Sequence, residues 1–393
     1  MHVVLLNHNL ARSRGTFWRA LEIGKALTRA GHHATLITTS ARRRWRSAGG
    51  LDSGVRILET PALVKGPLRS GSDPIDLVRR LGWAAGRVRH DIDIIHAFDS
   101  RPTVILPALL ARRRTGAALV MDWADWWGRG GTTEERASPA LLRAMVRPVE
   151  TYFEEAFRTK ADATTVISSP LRERALRLGV LPESIALVRQ GCNPHEITPL
   201  DLEVSRQACG LPPAVPVLGH LGVLLPADAA LLMAVFRDVR IAIPEARLLL
   251  IGDPAVKLPP DPGLIRTGIV PAALLPTYLA ACNLFLLPLT DSIANRARWP
   301  SKANSYFAAG RPVVTSPVGD LATEVARHDA GRVGSPGDGT FQRACVQLIT
   351  DRGMAERLGH NARALAENQL SWDTIISVIL RAYACARDRR RIA

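Results

Sequence analysis

The sequence predicts an α/β protein built from two Rossmann-like, doubly wound domains, and three observations predict it. Its 393 residues suffice for two or three domains of about 100–200 residues each. Short apolar runs alternate with amphipathic helical stretches along the whole chain, the pattern of parallel strands joined by crossover helices. A stretch rich in Pro and polar residues, 193–216, separates one such series from the next.

In the first series, residues 2–9 (HVVLLNHN) read as a buried strand, 11–16 as a loop containing Gly15, and 17–30 as a helix with Leu21, Ala26 and Leu27 on its apolar side. Gly31 stops that helix, and 34–39 (ATLITT) supplies the next strand. Further strands are expected at 55–58, 92–97 (IDIIHA), 118–121 and 163–167 (ATTVI). In the second series 216–221 (PVLGHL), 246–251 (ARLLLI), 284–288 and 312–315 read as strands, with helices at 228–241 and 302–309. A final helix covers 370–391, apolar at Ile375, Ile379, Ala382 and Tyr383, and ends in the basic tail 387–391. Folds of this kind bind ligands at the carboxyl ends of their strands, here in a cleft between the domains, so the polar residues that end strands are the ones to read for chemistry.

Hydrophobic content of 47% and charged content of 22% exclude disorder as the default. The longest apolar runs, 103–111 and 284–289, fall short of the roughly 20 residues that cross a bilayer, and Pro107 and Pro288 interrupt or end them. The N-terminus opens directly on an apolar strand with no basic leader, so the expected location is the cytoplasm. Five scattered cysteines (Cys192, Cys209, Cys282, Cys345, Cys385) suggest no metal knuckle or redox pair, and metal independence is expected. Of the 51 basic residues 46 are Arg and 5 are Lys, which reads as GC-rich coding more than a cationic stripe. The net charge of +15 is nevertheless uneven: residues 1–200 hold 30 basic and 19 acidic residues, and 201–393 hold 21 and 17. Clusters at 42–44 with Arg46, at 79–80, at Arg87 and Arg89, and at 112–114 read as solvated helix ends or as contacts for an anionic lipid surface. One aromatic residue, Trp45, sits inside a cluster and no nucleic-acid motif accompanies them, so nucleic acid is not an expected partner.

Several segments, in order, resemble the family-four group of GT-B glycosyltransferases. Residues 166–194 (VISSPLRERALRLGVLPESIALVRQGCNP) resemble the family's strand, Leu-Arg helix and Asn-Gly turn, and 246–253 (ARLLLIGD) its strand ending in Gly-Asp. Residues 308–325 (AAGRPVVTSPVGDLATEV) resemble its Ala-x-Gly-x-Pro-Val-Val signature, and 330–338, 356–363 and 371–375 continue the match. The resemblance implies two facing Rossmann-like domains, 1–193 completed by a final helix (373–393) that crosses back, and 194–372 as the donor side. It also implies transfer of a sugar from a nucleoside-diphosphate sugar, with UDP the family-frequency choice, to a small-molecule, glycan or lipid-linked acceptor. The anomeric configuration would be retained without a protein nucleophile. A non-catalytic nucleotide-sugar-binding partner subunit and a nucleotide-sugar epimerase of this fold are the alternatives.

The sequence also departs from the family. The loop after the first strand of the second domain, 219–229 (GHLGVLLPADA), has no cation where the family usually has an Arg and a Lys on the donor pyrophosphate. Ala297 and Ser305 stand where two glutamates are common. A diphosphate leaving group still needs positive charge, and 295–302 (NRARWPSK) offers Arg296, Arg298 and Lys302 at the start of a helix, where Arg forks and a Lys point charge suit phosphate. Gly15, Gly222, Gly252, Asp253, Ser301 and Ser305 are the further donor-side expectations; a plain tight turn serves equally for Gly15. On the acceptor side, 120–131 (VMDWADWWGRGG) runs a strand into Asp122, Trp123, Asp125, Trp126 and Trp127, a set suited to stacking on sugars and orienting hydroxyls, although Trp123 and a second Trp also fit a core. His96 and Asp99 end the preceding strand as contact residues or as interior polar groups, and His8 and Asn9 end the first.

Overall fold

The computed structural model describes residues 1–13, 15–42, 45–64, 71–86, 88, 90–135 and 139–392; Arg43, Arg44, Arg87 and Arg89 of the basic clusters lie outside the described residues. The chain divides into two compact units, Met1–Arg189 with Trp372–Ala393, and Gln190–Ser371.

The first unit carries the strands β1 (His2–Leu10), β2 (His33–Thr39), β3 (Ala48–Asp52), β4 (Val55–Thr60), β5 (Ile94–Phe98), β6 (Ala118–Trp123), β7 (Ala163–Val166) and β8 (Ile185–Leu187). They form one sheet in the order β3-β4-β2-β1-β5-β6-β7-β8, parallel throughout except for β3 against β4. Because side chains alternate across a strand, β1 feeds two cores. Val3 and Leu5 join Phe17 and Leu21 of the helix Thr16–Arg29 and Trp372, Ile375, Ile379 and Tyr383 of the final helix Trp372–Ile392. Val4 and Leu6 join Val104, Ile105 and Ala108 of the helix Pro102–Thr115, where the 103–111 apolar run lies. The final helix therefore completes the core of the first unit.

The second unit carries β9 (Val217–Leu221), β10 (Arg247–Ile251), β11 (Leu264–Arg266), β12 (Leu284–Leu287), β13 (Val313–Thr315) and β14 (Gly331–Val333), all parallel, in the order β11-β10-β9-β12-β13-β14. A Cβ at Gly219 would meet the Phe285 ring at 2.3 Å, so only glycine lets β9 lie flush in this sheet. In both units the strand order reverses at the first strand, between β1 and β5 and between β9 and β12, which opens a crevice at their carboxyl ends.

Candidate functional site

In the second unit the crevice floor is glycine. Gly222 and Gly252 follow β9 and β10 with φ of +72° and +93°, which other residues adopt only under strain. The Gly222 N–H donates to the Ile251 carbonyl at 2.8 Å, and a Cβ on Gly252 would lie 3.5 Å from the Gly222 Cα. Backbone is thus exposed to whatever occupies the crevice.

Lys302 opens the helix Lys302–Ala308 and reaches back to the end of β9. Its Nζ donates to the Val223 carbonyl at 2.7 Å and lies 2.9 Å from His220 Nε2. His220 is buried, with Nδ1 2.9 Å from the Leu286 carbonyl. A carbonyl only accepts, so Nδ1 carries the proton and Nε2 presents a lone pair to Lys302. Burial, with the Lys302 charge second, holds the His220 imidazole well below its ordinary range and therefore neutral. Burial also pushes Lys302 down to about 7, assisted by the Arg298 guanidinium and opposed by Asp228.

Asp228 sits in the first turn of the helix Pro226–Ala242 and is buried. One carboxylate oxygen accepts from Thr290 N at 3.0 Å, Thr290 Oγ1 at 2.9 Å and Asn295 Nδ2 at 3.2 Å. The other accepts from Arg298 Nη2 at 3.0 Å. This carboxylate ties the loop after β12 to the helix that follows β9 and orients Arg298. Arg296 points elsewhere, into a surface pair with Asp291 at 2.5 and 2.6 Å. Asp253 is exposed and caps its own turn by accepting from Ala255 N at 2.8 Å. Ser301 is exposed, Ser305 is half-buried, and Ala297 is buried. The structure thus gathers Lys302, Arg298, Gly222 and Gly252, and turns Arg296 away from them. His220, Asp228 and Asn295 escaped the sequence reading, although His220 is a polar residue near a strand's carboxyl end, the criterion that singled out His8 and His96.

In the first unit Gly15 has a φ of +66°, and a Cβ there would strike the Asn9 amide at 2.9 Å. Asn9 Nδ2 and Asn7 Nδ2 each donate to Thr16 Oγ1 at 2.8 Å, so the turn is stapled from β1. At the same crevice His8 Nε2 lies 3.0 Å from Asp99 Oδ2. Burial keeps His8 below its usual value; burial also opposes ionisation of Asp99, yet the hydrogen bond from His8 prevails and holds that carboxyl low.

Three acceptor-side candidates lie inside the first unit, where His96 and Trp123 take the interior alternative that the sequence allowed. His96 is buried, its Nδ1 2.9 Å from the Tyr383 hydroxyl, and burial pushes it down to about 4. Asp122 is buried and accepts both forks of Arg19 at 2.9 Å and the Thr165 hydroxyl at 2.6 Å. Trp123 is fully buried, donating to Glu154 at 3.0 Å under the Arg158 guanidinium at 4.0 Å. The reason is common to all three: β5 and β6 are central strands covered on both faces, so residues within them point into helices rather than at a ligand. Asp125, Trp126 and Trp127, just beyond the strand, are half-buried, with Arg174 3.8 Å over Trp126 and Arg101 4.6 Å over Trp127. Glu154, unnoticed in the sequence, shapes this loop by accepting from Trp127 N and Gly128 N at 2.8 Å.

Residues 14–191 match the glycosyl transferase 4-like domain family, and residues 215–351 match the glycosyl transferases group 1 family. The chain belongs to the family-four GT-B glycosyltransferases. D-inositol 3-phosphate glycosyltransferase from Stackebrandtia nassauensis is 28% identical over 233 residues, 54% of this chain and 51% of that protein, so the match spans about half the length of the curated relative. In fold, the chain is similar to sucrose-phosphate synthase from Thermosynechococcus elongatus (TM-score 0.71, 18% identity, 98% of each chain). It is also similar to HepE from Anabaena, solved in complex with UDP and glucose (TM-score 0.70, 17% identity, 98% and 99% of the chains). Against that family background, the segment 219–229 without a cation acquires two from elsewhere: its Val223 carbonyl and its Asp228 hold Lys302 and Arg298.

Proposed function

We propose that this protein transfers a sugar from a nucleoside-diphosphate sugar to an acceptor hydroxyl, with Lys302 on the pyrophosphate. The observation that carries the reading is Lys302 Nζ held 2.7 Å from the Val223 carbonyl, at the crevice where β9 and β12 diverge. An ammonium beside exposed glycine backbone is suited to charge developing on a departing diphosphate, and Arg298 adds a second cation. UDP is the proposed nucleotide, supported by the HepE complex with UDP and glucose.

A donor panel supplied with candidate acceptors tests the reading: nucleotide release requires both substrates, and Lys302→Ala lowers kcat/KM by about 10²–10³. Unchanged turnover in that variant overturns the assignment of Lys302. Nucleotide binding without turnover identifies a binding subunit, and donor interconversion without acceptor identifies an epimerase. Retention is the proposed stereochemistry. The His8–Asp99 pair is an arrangement of the kind that serves a general base, but His8 is only 3% exposed. The product's anomeric configuration, read by proton NMR, decides the point, and inversion would assign the base to His8.

A further inference from the structure

The helix Ala140–Glu155 is amphipathic in the inverted sense. Leu141, Met145, Val149 and Tyr152 recur at spacings that put them on one helical face, and they are 76%, 66%, 56% and 59% exposed. A surface helix ordinarily turns such a face to the core. Here the polar face turns inward: Glu150 pairs with Arg101, Glu154 with Arg174 at 3.0 Å, and Glu155 with Arg174 at 2.6 Å. The protein has used the helix's charges for its own packing and left the apolar row in solvent.

The surroundings are cationic. Phe153 of this helix and Phe157 just past its end pack on the same core cluster as Ala84 of the helix Pro74–Gly86 and Ala108 of the helix Pro102–Thr115, so the three helices cover one face of the first sheet. Every acidic side chain on these helices is ion-paired, whereas Arg79, Arg113 and Arg114 are exposed. The unit that displays them, 1–189 with 372–393, holds 35 basic and 20 acidic residues, a charge of +15, while 190–371 holds 16 of each.

We infer that this helical layer is a docking surface for an anionic lipid bilayer, with the 141–152 row entering the headgroup region and the arginines resting on the lipid phosphates. Apolar insertion and electrostatic attraction combine at such surfaces, and neither alone gives firm attachment.

Flotation of the full-length protein tests it, using vesicles of phosphatidylcholine with about 30 mol% phosphatidylglycerol against phosphatidylcholine alone. The protein is expected to float with the anionic vesicles only. Met145→Glu with Val149→Glu is expected to lower partitioning about tenfold or more, as is Arg113→Gln with Arg114→Gln, whose positions lie outside the apolar row. An unchanged melting curve shows that the exposed substitutions leave the fold intact. Failure of the native protein to float, or equal flotation of both variants, overturns the inference. So does a dimer in sedimentation that Met145→Glu dissociates in the absence of vesicle binding, because the row then seals against a second copy.

Discussion

Lys302 shows how one residue's surroundings set its chemistry. Its amine is pushed down to about 7 from 10.5, chiefly by burial. The folded value is depressed, so between about 7 and 10.5 the unfolded chain binds more protons and this group's contribution to stability rises with pH; below about 7 the partly desolvated ammonium works against folding. A bound diphosphate reverses the preference by supplying negative charge. At pH 8 the lysine is mostly neutral before binding, so binding of nucleoside diphosphate is expected to take up close to one proton per site, and less at pH 6. Calorimetry in buffers of different ionisation enthalpy reads this directly. Loss of the uptake in Lys302→Met is the expected control; equal uptake in that variant would assign the proton to another group. None of this was visible from 295–302 alone, because the group that aims Lys302 is His220, 82 residues away. The cationic candidates were legible as a cluster, but their directions were not: neighbours Arg296 and Arg298 pair with different aspartates.

At the scale of elements, legibility followed burial. The strands β1, β2, β9 and β10 lie inside their sheets and carry largely buried runs, and the sequence places each within about two residues. The strands β3, β8, β11 and β14 sit at sheet edges, are three to five residues long and have few wholly buried side chains, so no run marks them. The same burial hides the role of β6. Asp122 reads as a cleft residue because it is charged near a strand's end, yet it meets Arg19, 103 residues away, inside the core. Asp122→Asn leaves that guanidinium buried without its charge partner, and a loss of about 3–5 kcal/mol is expected in urea unfolding. If Asp122 served the acceptor instead, stability would hold and KM would rise. Glu154 acts on the neighbouring loop. Its replacement by Ala removes the acceptor of the Trp127 and Gly128 amides, and faster hydrogen exchange at those two amides is expected, with β1 unchanged.

At the scale of the molecule the charge is the organising fact. The total of +15 was legible at once and its lean toward the N-terminal half was countable; the fold adds the final helix, with five basic and two acidic residues in 372–393, to the first unit. With that helix counted, the second unit is neutral, and its buried Asp228 balances the cations that the proposed donor would meet. A domain at +15 repels itself, and the repulsion is long-ranged in dilute salt. Raising salt from about 10 mM to about 150 mM shortens the screening length from roughly 30 Å to roughly 8 Å. Hydrogen exchange of the intact chain is therefore expected to slow with added salt in peptides from β1 and β5, and to change little in peptides from β9 and β12. Equal slowing in both units would mean that salt acts through general exclusion rather than through this charge. Slowing confined to the first unit would show that its excess of arginine costs stability, a cost that an anionic partner surface would relieve as salt does.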